Sequence, residues 1–218
     1  MSTQHPAERA PRQPRDFSAW LVDLDGTLYR QAAVRAMMAL ELTLWGRSAI
    51  KTLQTFRHEQ ERLRGAELPR GADPFELQIE RAAQRLGVPA TSVAAVVDQW
   101  MFDRPGRWLR MFRRRGFLAD ISQYQAAGGR TALVSDYPAR RKLAAIGVAG
   151  LFDVVVACGE PGGPATLKPQ PDGLLLAAAQ LQVVPADCLV IGDRADADGE
   201  AARRAGMAFR HVNNGWRH

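Results

Sequence analysis

Two aspartates, Asp23 and Asp25, have the spacing of a shared site and lie between an apolar run and a tight turn at Gly26. Residues 20–28 read Trp-Leu-Val-Asp-Leu-Asp-Gly-Thr-Leu. In a β-strand, residues i and i+2 point to the same side, so both carboxylates can share one site where the strand passes into a loop. One carboxylate can then attack an electrophile while the other transfers protons.

Further polar residues stand at or just after the ends of other strand-like runs. Ser135 ends one run, Lys168 lies in the loop beyond a second, and Asp193 directly follows a third. In a parallel sheet, functional residues collect at the carboxyl ends of the strands, near the point where strand order reverses. The sequence therefore predicts that four strand ends supply one polar cluster.

The elements that would position this cluster follow two patterns. Strand-like runs occupy residues 19–24, 131–135, 152–157, 188–192 and 207–212, and helical segments separate the last four. This alternation is typical of parallel strands with crossover helices. Between the first two runs, helical spacing of apolar residues covers 32–45, 47–64 and 92–102, and a further helix is predicted to begin at Asp73, its N-cap, and to end at Gly87.

The predicted fold class is α/β, a doubly wound parallel sheet with an all-helical cap subdomain. Residues 17–30 and 117–218 are expected to form the core, and residues 31–116 the cap inserted in it. Residues 1–16, which include three prolines, are expected to form a disordered tail. A chain of 218 residues with 46% hydrophobic content is long enough for one substantial core and a smaller subdomain.

The motifs resemble those of the haloacid dehalogenase-like hydrolase superfamily, most of whose members are phosphatases. Its first motif reads Asp-x-Asp-Gly-Thr after an apolar strand, as at residues 23–27. Ser135 falls in its second motif and Lys168, within Leu-Lys-Pro-Gln-Pro, in its third. The run Gly-Asp-Arg-Ala-Asp-Ala-Asp at 192–198 corresponds to its fourth. The resemblance implies a Rossmann-like core with a helical cap that selects a small phosphoester.

Each of these residues has an expected role in phosphoryl transfer, which needs an in-line nucleophile, a proton donor and positive charge. Asp23 is expected to attack phosphorus and form an aspartyl-phosphate. Asp25 is expected to protonate the leaving alcohol and then deprotonate the hydrolytic water. The Ser135 hydroxyl, joined by N–H groups of the helix after it, and the Lys168 ammonium are expected to bind the phosphoryl group.

Several carboxylates around a phosphate dianion require a cation, and hard oxygen ligands suit Mg²⁺. The resemblance implies as ligands the carboxylates of Asp23 and Asp193 and the backbone carbonyl of Asp25. Asp198 is expected to be the further acidic residue, with Asp196 as the alternative. One departure is Asp136, which stands where many members have Asn and adds negative charge.

The leading hypothesis is a Mg²⁺-dependent phosphatase of a small phosphorylated metabolite. Asp25 argues against a dehalogenase, since attack on carbon needs no second acid and no metal. A phosphomutase that uses the same intermediate and a non-catalytic binding scaffold are the alternatives. Phosphonate cleavage has weaker support, because the only cap lysine, Lys51, is expected on a solvated helix face.

The net charge of +6 favours anionic ligands. No recognised nucleic-acid module is present, so no nucleic-acid partner is expected. No signal-peptide-like or membrane-spanning apolar run is present either, so the expected location is the cytoplasm. Cys158 and Cys188 are expected to be buried thiols rather than a disulfide.

The segment 104–115 is dense in arginine and large apolar residues and has three interpretations. The first is a helix returning to the core with Trp108, Met111 and Phe112 packed and its arginines solvated. The second is an anion clamp for a substrate carboxylate or second phosphate. The third is a basic surface that contacts acidic membrane or a partner peripherally.

Overall fold

The computed structural model describes residues 12–64, 66–69 and 71–213. Five strands form one sheet in the order β3-β2-β1-β4-β5, with every neighbouring pair parallel. The strands are β1 (Ala19–Val22), β2 (Arg130–Ser135), β3 (Val154–Ala157), β4 (Cys188–Gly192) and β5 (Ala208–His211). The predicted α/β class with a doubly wound parallel sheet is confirmed.

Most of the helices precede the second strand. Between β1 and β2 lie α1 (Gln31–Trp45), α2 (Ile50–Arg64), α3 (Pro74–Leu86), α4 (Ala90–Val97), a π-helical turn (Asp98–Asp103), α5 (Gly106–Met111) and α6 (Arg115–Ala126). The later crossovers contain α7 (Arg140–Ile146), α8 (Asp172–Leu181) and α9 (Glu200–Ala205). The expected division into core and cap remains a prediction, and its boundary at residue 116 falls within the first turn of α6.

Both faces of the sheet are covered, which explains why its central strands are apolar along their whole length. Trp20 and Val22 of β1 pack with the helices that precede β2 and with α7. Ala19 and Leu21 face the opposite side and pack against α8 and α9. Because β1 lies between β2 and β4, the residues that follow these three strands emerge at one edge of the sheet.

The predicted helix at Asp73 is present, and its first residue also connects it to the sheet. One carboxylate oxygen of Asp73 accepts hydrogen bonds from the backbone N–H groups of Phe75 (2.7 Å) and Glu76 (3.3 Å). The other oxygen accepts one from the N–H of Gly159, just after β3 (2.9 Å). Gly87 ends α3 with a φ of 67°, a left-handed conformation that favours glycine.

The chain leaves and re-enters the sheet along adjacent paths. Tyr29 and Arg113 form an isolated antiparallel bridge. The N–H of Arg30 donates to the carbonyl of Phe112 (3.0 Å), and the N–H of Arg114 donates to that of Leu28 (2.8 Å). The long helical insertion therefore begins and ends at one point, beside the end of β1.

The arginine-rich segment is partly neutralised by one buried glutamate. Glu41, 4% exposed, forms ion pairs with Arg104 and Arg107 and accepts a hydrogen bond from the Trp108 indole (2.7 Å). Burial would raise the pKa of Glu41, but these bonds outweigh it and lower that pKa. The expected packing of Met111 is wrong, since its side chain is 61% exposed. Arg104 and Arg107 therefore both pair with Glu41, while the Arg107 side chain stays 63% exposed and so largely solvated.

Two other features bear on the sequence-based expectations. Cys158 and Cys188 are buried free thiols, as predicted. Of the expected tail, residues 1–11 lie outside the described residues, whereas Pro14–Asp16 form a 3-10 turn and are ordered. In the described part of the chain, no helix has the length and apolar character needed to cross a membrane.

Candidate active site

Asp23 and Asp193 approach each other because β1 and β4 are neighbours. The N–H of Asp23 continues the ladder and donates to the carbonyl of Ile191 (2.9 Å), after which the chain turns at Gly26. Gly26 has a φ of +97°, and a Cβ on it would lie 1.9 Å from an oxygen of Asp193. Glycine at this turn therefore gives Asp193 the space to lie beside Asp23.

Lys168 joins the first and fourth motifs from the loop after β3. Its ammonium, in a side chain 7% exposed, donates to Asp23 Oδ1 (2.6 Å) and to Asp198 Oδ1 (2.7 Å). The second oxygen of Asp23 accepts a hydrogen bond from the Thr27 hydroxyl (3.1 Å). Burial would lower the pKa of Lys168, but Asp198 and Asp23 outweigh it and raise that pKa, so the group is an ammonium.

The pKa of Asp23 indicates a surplus of negative charge around it. Burial above all, and then Asp198 and Asp193, raise this pKa to about 8 against the lowering effect of Lys168. Burial also raises the pKa of Asp193, with Asp198 adding to the effect. One lysine does not neutralise three neighbouring carboxylates, and a divalent cation would stabilise their ionised forms.

The donor set at this point fits Mg²⁺. Carboxylate oxygens of Asp23, Asp193 and Asp198 lie within 4.8 Å of one another. Hard oxygen ligands of this kind suit Mg²⁺, which keeps several water ligands. The side chain of Asp25 lies outside this group, so only its backbone carbonyl is available for the expected ligand role.

The geometry favours Asp198 over Asp196. Asp198 is 2% exposed; one oxygen binds Lys168 and the other accepts from the N–H of Arg194 (3.1 Å). A Cβ on Gly192 would lie 2.3 Å from this second oxygen, so the glycine at the end of β4 makes room for Asp198. Asp196 has a side chain 70% exposed and pairs with Arg194 outside the acidic group.

Asp25 is part of a second charged group that the sequence analysis missed. The Lys142 ammonium donates to both of its carboxylate oxygens (2.7 and 2.8 Å), and the Tyr29 hydroxyl donates to Oδ1. Burial would raise the pKa of Asp25, but Lys142 and Tyr29 outweigh it and lower that pKa. The sequence held two signals: Lys142 is one of only three lysines, and Tyr29 follows Asp25 by four residues.

Ser135 lies at the site, and several N–H groups after it are already paired within the protein. Its side chain is 3% exposed, lines the cavity described below and accepts a hydrogen bond from the N–H of Tyr137 (3.1 Å). The N–H groups of Ala139 and Arg140 at the start of α7 both donate to Glu160 (2.7 and 2.8 Å). These two N–H groups are therefore not free for a phosphate, and the expected contribution of the other N–H groups stays a prediction.

Asp136 has a structural contact that explains its departure from Asn. One oxygen accepts from the backbone N–H of Lys168 (3.0 Å), and the other pairs with Arg64 at the end of α2 (2.7 Å). The Arg64 guanidinium also donates to the carbonyl of Lys168. The negative charge of Asp136 is thus neutralised by Arg64, and both residues hold the backbone that carries Lys168.

These groups line a cavity of about 480 Å³ between the sheet edge and the helical insertion. Asp23, Asp25, Ser135, Lys168 and Asp193 supply its polar end. The helical insertion supplies an apolar wall that consists of Val34, Met38, Leu42, Leu53, Trp100 and Leu109. It also contributes Arg35, Arg57, Gln60 and Glu61 to the lining. A ligand with a phosphoryl group at the polar end would therefore have this apolar wall and several polar side chains beside its remaining atoms.

The arrangement combines a buried carboxylate, a lysine and an acidic group that could hold a cation at the end of one cavity. Such positioning and charge are what phosphoryl transfer needs. Asp25 adds a second carboxylate to the cavity, in contact with an ammonium and a phenol.

Several solved structures share this fold. β-Phosphoglucomutase from Clostridium difficile is 16% identical, with a TM-score of 0.56 and with 88% of this chain and 83% of that chain covered. L-2-haloacid dehalogenase from Xanthobacter autotrophicus is 21% identical, with a TM-score of 0.61 and coverage of 88% and 76%. The HAD-hydrolase YfnB from Bacillus subtilis, solved with magnesium bound, is 17% identical, with a TM-score of 0.59 and coverage of 88% and 87%.

A search of curated protein sequences finds no match to this chain. The model of the haloacid dehalogenase-like hydrolase family, in contrast, matches residues 17–206 and so includes all four motifs and the helical insertion. The chain therefore belongs to the haloacid dehalogenase-like hydrolase family.

Proposed function

We propose that the protein is a Mg²⁺-dependent phosphatase that hydrolyses a small phosphomonoester through an aspartyl-phosphate intermediate. The observation that carries this proposal is the position of Asp23, whose carboxylate contacts Lys168 and lies within a group of three carboxylates suited to a divalent cation. With the Lys168 ammonium and a bound cation beside it, the Asp23 carboxylate could approach a phosphate dianion that it would otherwise repel.

Asp23 is the proposed nucleophile. Lys168 holds Oδ1 and Thr27 holds Oδ2, so the carboxylate has a fixed orientation at the polar end of the cavity. Attack on phosphorus forms the acyl phosphate as the ester oxygen leaves in line, and water then attacks phosphorus and releases phosphate. Lys168 and the Ser135 hydroxyl would bind the phosphoryl oxygens in both steps.

Asp23, Asp193 and the backbone carbonyl of Asp25 would hold Mg²⁺, and Asp198 would support it by fixing Lys168. A bound cation would neutralise the negative charge of the phosphoryl oxygens and of the neighbouring carboxylates. Burial raises the pKa of Asp23 and the neighbouring Asp198 and Asp193 add to the effect, and a cation beside the three carboxylates would offset both causes. Without a cation, protonation of Asp23 would remove the nucleophile.

Asp25 is the proposed acid and base. It would protonate the leaving alkoxide in the first step and accept a proton from the attacking water in the second. Its low pKa suits the second role. For the first role the carboxyl must gain a proton, which the negative charge of a bound phosphate dianion favours.

A phosphomutase is the second candidate, because the same residues form the same intermediate and only the acceptor differs. The resemblance to a solved phosphoglucomutase concerns the fold and does not decide between water and a sugar phosphate as acceptor. A non-catalytic scaffold has less support, because the proposed nucleophile and its positive partner are in direct contact.

The test measures phosphate release from a broad set of phosphomonoesters, with and without Mg²⁺, for the wild type and Asp23→Asn. Metal-dependent release that Asp23→Asn abolishes supports the phosphatase. Release that requires a bisphosphate activator and accompanies isomerisation of a sugar phosphate would show a mutase. A fully active and folded Asp23→Asn protein would exclude Asp23 as nucleophile.

A further inference from the structure

We propose that Lys142 is a positioning residue that, together with Tyr29, fixes the carboxylate of Asp25 for proton transfer to the leaving group. The proposal rests on the proposed phosphatase function and assigns to it a residue outside the four motifs. It follows from three features of the structure: the two-pronged contact, the burial of the lysine, and the asymmetry between the two oxygens of Asp25.

The Lys142 ammonium donates a hydrogen bond to each carboxylate oxygen of Asp25. Its distances to Oδ1 and Oδ2 are 2.7 and 2.8 Å, and the residue is 5% exposed. In the described part of the chain, Asp25 accepts both hydrogen bonds that this ammonium donates. A lysine on α7, more than a hundred positions along the chain, thus meets an acidic residue of the first motif inside the cavity.

Aromatic rings complete the surroundings of this ammonium. Its nitrogen lies 5.5 Å from the ring centres of both Phe102 and Tyr137, a distance at which a cation is attracted to the face of a ring. Phe102 belongs to the helical insertion and Tyr137 to the segment after β2. The lysine side chain is therefore enclosed by both parts of the fold and has little freedom to leave Asp25.

The two oxygens of Asp25 are not equivalent. Oδ1 accepts from both Lys142 and Tyr29, whereas Oδ2 accepts from Lys142 alone. Oδ2 therefore keeps more hydrogen-bonding capacity for the ester oxygen of a substrate. Three hydrogen bonds to one carboxylate restrict its rotation, and proton transfer depends on such orientation.

A purely structural ion pair between Lys142 and Asp25 predicts a different effect of the Lys142 variants on catalysis. A structural pair would contribute to folding and its loss would slow all substrates alike. Asp25 is also the proposed base in the second step, which is the same for every ester, so the two roles separate only in the first step, which kcat/KM reports. In that step a positioning role slows only esters whose leaving oxygen needs a proton. Loss of Lys142 should therefore lower kcat/KM for n-butyl phosphate, whose alkoxide leaves poorly, and have little effect on it for 2,4-dinitrophenyl phosphate, whose phenolate leaves without protonation.

The experiment compares kcat and KM of the wild type, Lys142→Met and Lys142→Arg for these two esters in saturating Mg²⁺. We expect Lys142→Met to lower kcat/KM for n-butyl phosphate about 10²-fold or more, within the usual range for proton-transfer catalysis. Its kcat/KM for 2,4-dinitrophenyl phosphate should fall less than about threefold, and Lys142→Arg should recover part of the loss. Lys51→Met, at an exposed lysine of α2, is the matched control and should match the wild type.

Equal losses of kcat/KM for the two esters, or no loss for either, would overturn the proposal. If Lys142→Met does not fold, Tyr29→Phe provides the same comparison, since it removes one hydrogen bond to Oδ1 and should produce a smaller loss confined to n-butyl phosphate. A crystal structure of Lys142→Met gives a readout without activity. If the wild type hydrolyses no ester, the proposed function fails. If the Asp25 carboxylate keeps its position in the crystal structure of Lys142→Met, the positioning role is overturned independently of activity.

Discussion

Gly26 lies so close to Asp193 that a Cβ on residue 26 would be 1.9 Å from Oδ2 and 2.5 Å from the carboxyl carbon of Asp193. The contact joins the turn after β1 to the residue after β4, and no side-chain rotation of residue 26 could relieve it. The glycine of the first motif therefore has two functions: it permits a φ of +97° and it leaves space for a proposed metal ligand.

Gly26→Ala should abolish Mg²⁺-dependent turnover and weaken Mg²⁺ binding at least about tenfold, because Asp193 must move. Isothermal titration with Mg²⁺ and phosphate release measure the two effects. Gly87→Ala is the matched control: its φ is +67° and a Cβ there would contact nothing within 4 Å. That control should lose about 1 kcal/mol of stability and keep its activity. Similar Mg²⁺ affinity in Gly26→Ala and the wild type would contradict the explanation.

Asp23 should make the metal-free protein less stable as the pH rises. Its pKa is about 8 in the folded state and 3.8 in the unfolded chain, where Asp keeps its ordinary value. Between these two pH values the folded protein therefore binds more protons than the unfolded chain. Stability from this group is therefore lost as pH rises towards 8. In urea unfolding with EDTA, the wild type should lose on the order of 4 kcal/mol relative to Asp23→Asn between pH 5 and pH 8.5.

Saturating Mg²⁺ is the control for this pH effect, because the cation replaces the proton as partner of the carboxylate. The difference between wild type and Asp23→Asn should then shrink or change sign at pH 8.5. Parallel pH profiles of the two metal-free proteins would show that Asp23 does not carry the surplus charge.

Arg64 and Asp136 should act as one unit. Arg64→Met removes the ion pair and the hydrogen bond to the Lys168 carbonyl, whereas Asp136→Asn removes the ion pair and keeps an acceptor for the Lys168 N–H. We expect each change to lower kcat several-fold through displacement of Lys168. The double variant should lose less than the sum, with a coupling of about 0.5–3 kcal/mol in a cycle of kcat/KM values.

An additive double variant would contradict this coupling. Arg62→Met is the matched control on the same helix, because Arg62 has a side chain 48% exposed and its nearest carboxylate, Glu59, lies at 3.9 Å. It should leave kcat unchanged. A loss as large as that of Arg64→Met would mean that general charge on α2, rather than support of Lys168, decides the rate.

The sequence predicted the parts of the fold that depend on local pattern. Apolar runs placed all five strands, and the run at 19–24 was too long by two residues because the chain turns after Val22, with the N–H of Thr27 donating to Leu24. The N-cap at Asp73 followed from side-chain chemistry, but its bond to Gly159 did not, since that contact spans 86 positions.

The site divides in the same manner. Motif spacing placed Asp23, Ser135, Lys168 and Asp193 near one another, and the structure brings them to one cavity. Lys142 was missed because its contact with Asp25 depends on how α7 packs against the sheet, and sequence periodicity does not show that packing. The pairing of Asp136 with Arg64 was missed for the same reason. Met111 was expected to be buried because helical spacing does not show how far the neighbouring elements extend over a helix face.

The apolar wall of the cavity should set the preference for the leaving group. Alkyl phosphates should gain about three- to fourfold in kcat/KM for each added methylene until the cavity is full, in line with about 0.8 kcal/mol per buried methylene. Met38 is 8% exposed and lines this wall, so Met38→Ala should shift the best chain length upward by about one to two carbons. A series from ethyl to octyl phosphate measures the shift. Met111→Ala is the matched control, since Met111 is 61% exposed and lies outside the wall. An unchanged optimum in a folded Met38→Ala protein would mean that the leaving group points away from the helical insertion.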